Sequence, residues 1–145
     1  MSQAYVSNNL HIVFSTKERR PMIADPRRMC AYLGGIAKRL NATPMAIGGT
    51  NDHVHLLAAL PADLDIAKFV NVLKSNSSKW MNEQKRGFAW QRGYGAFSVS
   101  ASNLPAVTRY IEGQAEHHTK RDFQQEFLAL LKKHNVAFDP RYVFG

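Results

Sequence analysis

Two histidines separated by one residue, His53 and His55, are the side chains of this sequence best suited to chemistry. They lie in the run Gly48–Leu57, whose second half is apolar and predicts a β-strand. Side chains two apart on a strand point to the same face, so the two imidazoles project together. Because neutral imidazole commonly binds divalent metals, the pair predicts a metal site. The alternative is a pair of polar residues on a solvated strand face.

A second group of candidates lies on a predicted helix. Ser102 is a capping residue and Pro105 suits the first turn, so a helix is expected to begin there. Tyr110 and Gln114 are then neighbours one turn apart. A phenol oxygen can attack phosphorus, and a metal held partly by an amide oxygen can stabilise charge on the phosphoryl and leaving oxygens. Alternatively, Tyr110 is a half-buried aromatic residue with its hydroxyl in water.

Four segments connect these candidates to a known family. In order along the chain they are His11–Lys17, Asn51–Leu57, Trp90–Ser100 and Tyr110–His118. In their residues, order and spacing they resemble the single-tyrosine transposases of the IS200/IS605 insertion-sequence family, and the resemblance covers nearly the whole chain. It implies an enzyme that cuts and rejoins single-stranded DNA through a 5′-phosphotyrosine.

The resemblance also implies roles for individual residues. Tyr110 would be the nucleophile, and His53, His55 and Gln114 would be the metal ligands. Because two imidazoles and an amide are uncharged, we expect Mg²⁺ or Mn²⁺ to bind weakly until a DNA phosphate adds its charge. His117 lies seven residues beyond Tyr110 and could be a substitute ligand, a proton acceptor or a solvated residue at the helix end.

The resemblance further implies hairpin-forming single-stranded DNA as the partner and a homodimer in which the tyrosine helix can complete the other subunit's site. The sequence leaves open whether Tyr110 acts in its own chain or in its partner, and what His118 does. His11 lies on the first predicted strand, where a structural role is expected. The family chemistry needs no nucleotide cofactor, and the chain has no Gly-x-x-x-x-Gly-Lys-Ser/Thr loop.

Three other functions compete with this one. A host-retained tyrosine nuclease that processes palindromic repeats would use the same chemistry without transposition. A non-catalytic nucleic-acid-binding module would leave the histidines and Tyr110 incidental. A nucleotide hydrolase of the histidine-triad type is disfavoured, because the alternation of histidines stops at Leu57.

Composition agrees with a nucleic-acid partner. The 145 residues include 19 Lys and Arg against 11 Asp and Glu, for a net charge of +8. The basic residues expected to contact DNA are Lys17, Arg19, Arg20, Lys74, Lys79, Lys85, Arg86, Arg92, Lys120 and Arg121. Trp90, Tyr94 and Phe97 are available for stacking, although most of these aromatics are expected to be core.

The single cysteine, Cys30, is expected to be a core thiol and leaves no intrachain disulfide. No secretory leader or membrane-spanning run is evident, so we expect a soluble, cytoplasmic protein.

The periodicities predict the elements that must position the site. A strand is expected at 5–15, a helix at 26–40, a hairpin at 43–50 and 53–60, a long helix from Ile66 to before Gly87, and a broken strand at 88–100. This order predicts an α+β fold, the ferredoxin-like (RRM-like) β-α-β-β-α-β sandwich, with an antiparallel sheet, helices on one face and a C-terminal helix carrying the tyrosine. We expect one transposase domain over 1–145, with the sheet core at about 5–100 and the tyrosine helix and tail at about 103–145.

Overall fold

In a computed structural model, which describes residues 4–114 and 122–144, strands and helices follow the predicted order. The elements are β1 (Asn9–Ser15), α1 (Pro26–Arg39), β2 (Thr43–Gly49), β3 (His53–Ala59), α2 (Ile66–Gln84), β4 (Gly95–Ser98), α3 (Leu104–Glu112) and α4 (Phe123–Lys133). Short 3-10 helices follow β1 and β4, at Lys17–Arg19 and Ala101–Asn103.

The four strands form one antiparallel sheet in the order β2-β3-β1-β4. This is the strand order of the ferredoxin-like sandwich, so the predicted fold class is confirmed. The histidine strand β3 is one of the two central strands. The first and last strands are shorter than predicted: β1 begins at Asn9, and β4 covers only Gly95–Ser98 of the predicted 88–100 strand.

One face of the sheet packs against α1 and α2. Alternate residues of β1 and β3, including Ile12 and Leu56, join Leu33 and Phe69 from the two helices in the main hydrophobic core. Asp25 caps α1 by accepting a hydrogen bond from the Arg28 amide, and Pro26 begins the helix as predicted. Burial of this apolar layer stabilises the central strands on which the histidines lie.

The opposite face, to which the histidines point, is covered by α3 and α4. Ile111 of α3 packs against Ala46 and Leu57, whereas Phe123 of α4 packs against Val13 in a second cluster. The predicted layer of helices on one face of the sheet corresponds to α1 and α2. The structure adds a second layer, formed by α3 and α4, over the face that carries the histidines.

A glycine allows α3 to approach the sheet closely. Gly48 of β2 pairs with His55, and a Cβ at this position would overlap the carbonyl oxygen of Ile111. The missing side chain therefore lets the C-terminal end of α3 lie directly against β2, next to the histidine strand.

The tyrosine helix is shorter than predicted. α3 ends at Glu112, where the amide of Gly113 donates a hydrogen bond to the carbonyl of Arg109. Gln114 is itself helical but follows a break at Gly113, so the predicted single helix carrying both Tyr110 and Gln114 is interrupted between them. Within the described residues, no helix combines the length and apolar character needed to cross a membrane.

Candidate metal and tyrosine site

His53 and His55 project from β3 into the layer between the sheet and helices α3 and α4. Both side chains are fully buried, and their ring centroids are 5.2 Å apart. Val54, between them, belongs to the main core on the other face of the sheet. The predicted alternation is therefore confirmed, but the imidazoles lie inside the protein and not on a solvated strand face.

The Nδ1 atom of His53 faces polar groups at the β2–β3 turn. It lies 2.7 Å from Oδ1 of Asp52 and 3.0 Å from the hydroxyl of Thr50. A carboxylate accepts only, so this nitrogen donates to Asp52. The Nε2 atom is consequently directed into the site, which is the arrangement by which a carboxylate orients a metal-binding histidine.

His55 is hydrogen-bonded through its Nδ1 atom to another histidine. Its Nδ1 lies 2.7 Å from Nε2 of His11, which is also buried. Burial, reinforced by the neighbouring His55, lowers the pKa of His11 to about 3, so the His11 ring is neutral at physiological pH. A neutral imidazole can donate or accept according to its tautomer. His11 can therefore pair with His55 whether the Nδ1 of His55 carries a proton or not.

Glu126 of α4 joins the two histidines to Tyr110. Its Oε1 lies 2.8 Å from Nε2 of His55 and 3.2 Å from Nε2 of His53. Its Oε2 accepts hydrogen bonds from the Tyr110 hydroxyl and, at 3.3 Å, from the Gln114 amide nitrogen. Glu126 as a whole residue is 4% exposed. One buried carboxylate thus separates the imidazole nitrogens from the phenol oxygen.

Gln114 also reaches the histidines directly. Its side-chain oxygen lies 3.1 Å from Nε2 of His53, and the residue is 2 % exposed. The ring of Tyr110 lies edge-on to His55, with 5.8 Å between the ring centroids. The structure therefore brings His53, His55, Tyr110 and Gln114 together within one chain.

The donor atoms of this group fit a divalent metal. One nitrogen each from His53 and His55 and one carboxylate oxygen of Glu126 all lie within 4.8 Å of one another. With the Gln114 oxygen they make a mixed nitrogen and oxygen set, which suits Mn²⁺ and accommodates Mg²⁺. These two imidazoles, the carboxylate and the amide oxygen are therefore compatible with the Mg²⁺ or Mn²⁺ ion that the resemblance implies.

The protonation states of His53 and Glu126 depend on each other. Burial alone would lower the pKa of His53, but hydrogen bonds to Asp52 and Glu126 outweigh it and raise the pKa to about 9. Burial alone would raise the pKa of Glu126, but hydrogen bonds from His53, His55 and Tyr110 hold it well below its usual value. Glu126 is therefore ionised at neutral pH and contributes a full negative charge to the donor group.

A cleft of about 340 Å³ between α3 and α4 leads to this group. His11, Tyr110 and Glu126 line the cleft together with Asn103, and Lys133 adds a positive charge. The buried groups can therefore be approached from outside along the surface that carries the phenol.

The basic residues predicted to contact DNA are spread over the molecule. Arg19 and Arg92 line one cavity, which is described below. The ammonium of Lys74 donates to the carbonyls of Gln91 and Gly93, and burial lowers its pKa to about 8, so Lys74 also anchors the loop before β4.

Five other basic candidates are exposed, and two of them, Lys85 and Arg86, directly follow α2. Arg20 forms an ion pair with Glu18, Lys17 lies in the same turn, and Lys79 lies on α2, in the layer on the far side of the sheet from the histidines. Four candidates, His117, His118, Lys120 and Arg121, lie outside the described residues. Cys30 is partly buried, and burial raises the pKa of its thiol to about 11.

Sequence reasoning missed Glu126 and gave His11 only a structural role. A signal for Glu126 does exist in the sequence, because the residue lies at helical spacing from the apolar residues Phe123, Phe127 and Leu130. A carboxylate among apolar residues needs partners, which makes it a candidate for a site.

Comparison with known proteins identifies the family. A family model described as "Transposase IS200 like" matches residues 4–114, which include His53, His55, Tyr110 and Gln114. The chain belongs to the IS200-like transposase family. The resemblance found in the sequence is thereby confirmed. Glu126 lies beyond the matched segment, so the match says nothing about it.

Individual relatives support this transposase assignment. The chain is 30% identical over 119 residues to the transposase for insertion sequence element IS200 of Salmonella typhimurium, covering 73% of this chain and 76% of the relative, and the Salmonella typhi transposase gives the same values. The crystal structure of a candidate transposase from Deinococcus radiodurans has a TM-score of 0.62 at 26% identity, over 79% of this chain and 96% of that one.

A second solved structure shares the fold. The REP-associated tyrosine transposase bound to a REP hairpin has a TM-score of 0.63 at 13% identity, and the match covers 81% of this chain and 73% of that one. This IS200-like transposase is therefore a DNA-processing enzyme with the fold of its solved relatives.

Proposed function

We propose that this transposase cuts and rejoins single-stranded DNA at insertion-sequence ends, with Tyr110 as the nucleophile and a divalent metal, Mg²⁺ or Mn²⁺, as cofactor. The observation that carries the proposal is that Glu126 contacts both histidine Nε2 atoms with one oxygen and the Tyr110 hydroxyl with the other. The candidate metal ligands and the proposed nucleophile thus contact the same carboxylate, close enough together to act on one phosphate group.

The chain's own residues have separable tasks in this reaction. His53, His55, Gln114 and Glu126 would hold the ion, which when bound supplies positive charge to the phosphoryl and leaving oxygens. Tyr110 attacks the phosphorus, so that a bond forms from its oxygen while the bond to the 3′-oxygen breaks, and the phenol proton passes through solvent to that leaving oxygen. The products are a free 3′-hydroxyl and a 5′-phosphotyrosine, and the reverse attack by a 3′-hydroxyl rejoins the strand.

Glu126 orients the phenol without taking its proton. The pKa of Glu126 is held below that of an ordinary carboxylate, whereas a free phenol titrates near pH 10. Transfer of the proton from Tyr110 to Glu126 is therefore strongly uphill. The hydrogen bond fixes the direction of the phenol oxygen instead, and a phosphate entering the site must replace Glu126 as the partner of that oxygen.

The proposed partner is single-stranded DNA that folds into hairpins at element ends. The family and the net charge of +8 support a DNA partner, and the REP-associated tyrosine transposase, of similar fold, was solved bound to a REP hairpin. We also propose a homodimer, as the resemblance implies, in which each tyrosine serves the histidines of its own chain in the arrangement described.

The direct test uses DNA from the genomic flanks of the gene, labelled at its 3′ end. With Mn²⁺ we expect the label to move onto the protein and to stay there through denaturation, because the tyrosine retains the 5′-phosphate of the 3′ fragment. In the presence of a chelator no adduct should form. Cleavage that releases both fragments without an adduct would contradict the tyrosine mechanism.

Glu126 leads to a prediction about metal binding without DNA. It adds a negative charge to histidine and amide donors that are neutral when they bind a metal, so we expect Mn²⁺ to bind the free protein more tightly than His53, His55 and Gln114 alone would bind it. Glu126→Gln keeps the side-chain size and removes the charge, and should weaken Mn²⁺ binding at least about 10-fold in calorimetric titration. Glu112→Gln, on the exposed end of α3, is the matched control. Equal affinities for all three proteins would remove Glu126 from the metal site.

His11 leads to a prediction about the orientation of His55. Removing its hydrogen bond in His11→Ala lets the His55 ring rotate, and should weaken Mn²⁺ binding about 10- to 100-fold. His11→Gln should recover most of the affinity, because a glutamine amide can donate or accept at the same place. Thermal melting of both variants separates this effect from loss of packing. If Gln fails to recover what Ala loses, the hydrogen bond is not the cause.

A further inference from the structure

A second cavity, of about 370 Å³, lies beside the metal and tyrosine site. Its lining includes Arg19, Arg92, Tyr94, Phe127, Tyr142 and Phe144, and we call it the Arg19 pocket. Phe123 also lines it, and the ring of Phe123 packs 4.9 Å from that of His53 between ring centroids. Tyr110 and Glu126 do not line the cavity. The Arg19 pocket is therefore a separate space that adjoins the histidine side of the site.

The guanidinium of Arg19 is held in place at this pocket. It lies 5.5 Å from the centroid of the Phe144 ring. With the side-chain oxygen of Gln124 facing it, Arg19 donates hydrogen bonds of 3.2 and 3.0 Å to that oxygen. Glu18 and Arg19 both have positive φ, 55° and 56°, an uncommon conformation for residues with side chains. The arginine is thus positioned before any ligand arrives.

The pocket also presents aromatic surface to solvent. Among the described residues, five large hydrophobic side chains are exposed, and two of these, Tyr94 and Tyr142, line this one cavity. The Lys74 ammonium lies 5.9 Å from the centroid of the Tyr94 ring and adds positive charge near it. The described lining includes two arginines and no carboxylate. A flat, apolar ligand attached to a negative charge would complement this surface.

We propose that the Arg19 pocket binds an unpaired nucleobase of single-stranded DNA, with the base stacked on Tyr94 and an adjoining phosphate at Arg19 or Arg92. Bases stack on exposed aromatic rings in single-strand binding sites, and guanidinium groups bind phosphate. The cavity lies at the lower end of the roughly 300–1,000 Å³ range of small-ligand pockets, which suits a single nucleotide.

The proposal rests on the proposed function, because the pocket adjoins the donor group only through Phe123, which lines the pocket and packs on His53. The adjoining pocket then receives a base near the scissile phosphate and orients the strand.

The test is a binding and cross-linking experiment with oligo-dT of about twelve nucleotides, made with thymine or with 5-iodouracil. Chelator is present, so that binding is measured without cleavage. We expect irradiation of the iodouracil strand to cross-link it to the Tyr94 peptide, identified by mass spectrometry. Tyr94→Ala should lower the affinity, measured by fluorescence anisotropy, about 5- to 100-fold.

Tyr5→Ala is the matched control, since Tyr5 is 90% exposed and does not line the pocket. It should leave the affinity and the cross-link unchanged, and thermal melting checks that both variants fold. Unchanged affinity of Tyr94→Ala, or cross-links only outside the pocket, would overturn the proposal. A change in oligomeric state of Tyr94→Ala with no change in DNA affinity would indicate a contact between chains and would also overturn it.

The outcome is separable from that of the proposed function. If the Mn²⁺-dependent adduct forms but Tyr94 has no effect on binding, the pocket proposal fails alone. If Tyr94 governs binding and cross-linking but no adduct forms under any condition, the tyrosine mechanism fails and the base-binding pocket stands.

Discussion

Tyr110→Phe is expected to abolish the covalent adduct between the protein and 3′-labelled DNA and to reduce strand cleavage by roughly a thousand-fold or more. The substitution removes only the oxygen that would attack phosphorus. The hydrogen bonds of Glu126 to His53, His55 and Gln114 do not involve that oxygen, so Mn²⁺ affinity should change little. The measurement is adduct formation on a denaturing gel, with calorimetric Mn²⁺ titration in parallel.

Tyr32→Phe is the matched control for this loss. Tyr32 stacks on Trp80, with 4.2 Å between the ring centroids, and packs against the main core on the other side of the sheet. Its phenylalanine variant should form the adduct normally. If Tyr110→Phe cleaves as well as the unaltered protein, Tyr110 is not the nucleophile.

A mixture of Tyr110→Phe and His53→Ala proteins tests which chain supplies the tyrosine. Because Tyr110 bonds to Glu126 of its own chain, we expect the mixture to stay inactive. Restored cleavage would show that a tyrosine reaches the histidines of a partner, which is the other arrangement that the family resemblance allows.

His53→Ala is expected to weaken Mn²⁺ binding at least about 100-fold and to reduce adduct formation below detection. It removes one donor atom and leaves Asp52 and Glu126 without the imidazole that lies between them. Hairpin binding in chelator should stay within about 3-fold of the original, because contacts of basic residues with phosphate dominate affinity. Calorimetry measures the metal, and anisotropy measures the DNA.

Two further variants keep this prediction testable. His53→Asn retains a polar side chain if the alanine protein does not fold, and should show the same loss of metal binding. His134→Gln changes a half-buried histidine that stacks on Phe97 and lies outside the donor group, so it should bind Mn²⁺ normally. If His53→Asn cleaved DNA at the full rate in the presence of chelator, the proposed requirement for a metal would be wrong.

The sequence by itself determined which elements form and which side chains share a face. The alternation around Val54 placed both imidazoles on one side of β3, and Asp25 with Pro26 fixed the start of α1. These features depend on local periodicity and capping, which are readable within one segment. The helix pattern placed Tyr110 and Gln114 one turn apart, and the family resemblance connected them with the histidines.

Only the tertiary structure decided how distant segments meet. Glu126 enters the site because the apolar face of α4 packs on the sheet, and His11 reaches His55 because β1 pairs with β3. Gly48 permits the close approach of α3, and Gly113 ends that helix before Gln114. A sequence pattern reports the face on which a residue lies, whereas the distance between two faces depends on long-range packing of whole elements. For this reason the histidine pair could be read from the chain, whereas the contacts by which Glu126 joins that pair to Tyr110 could not.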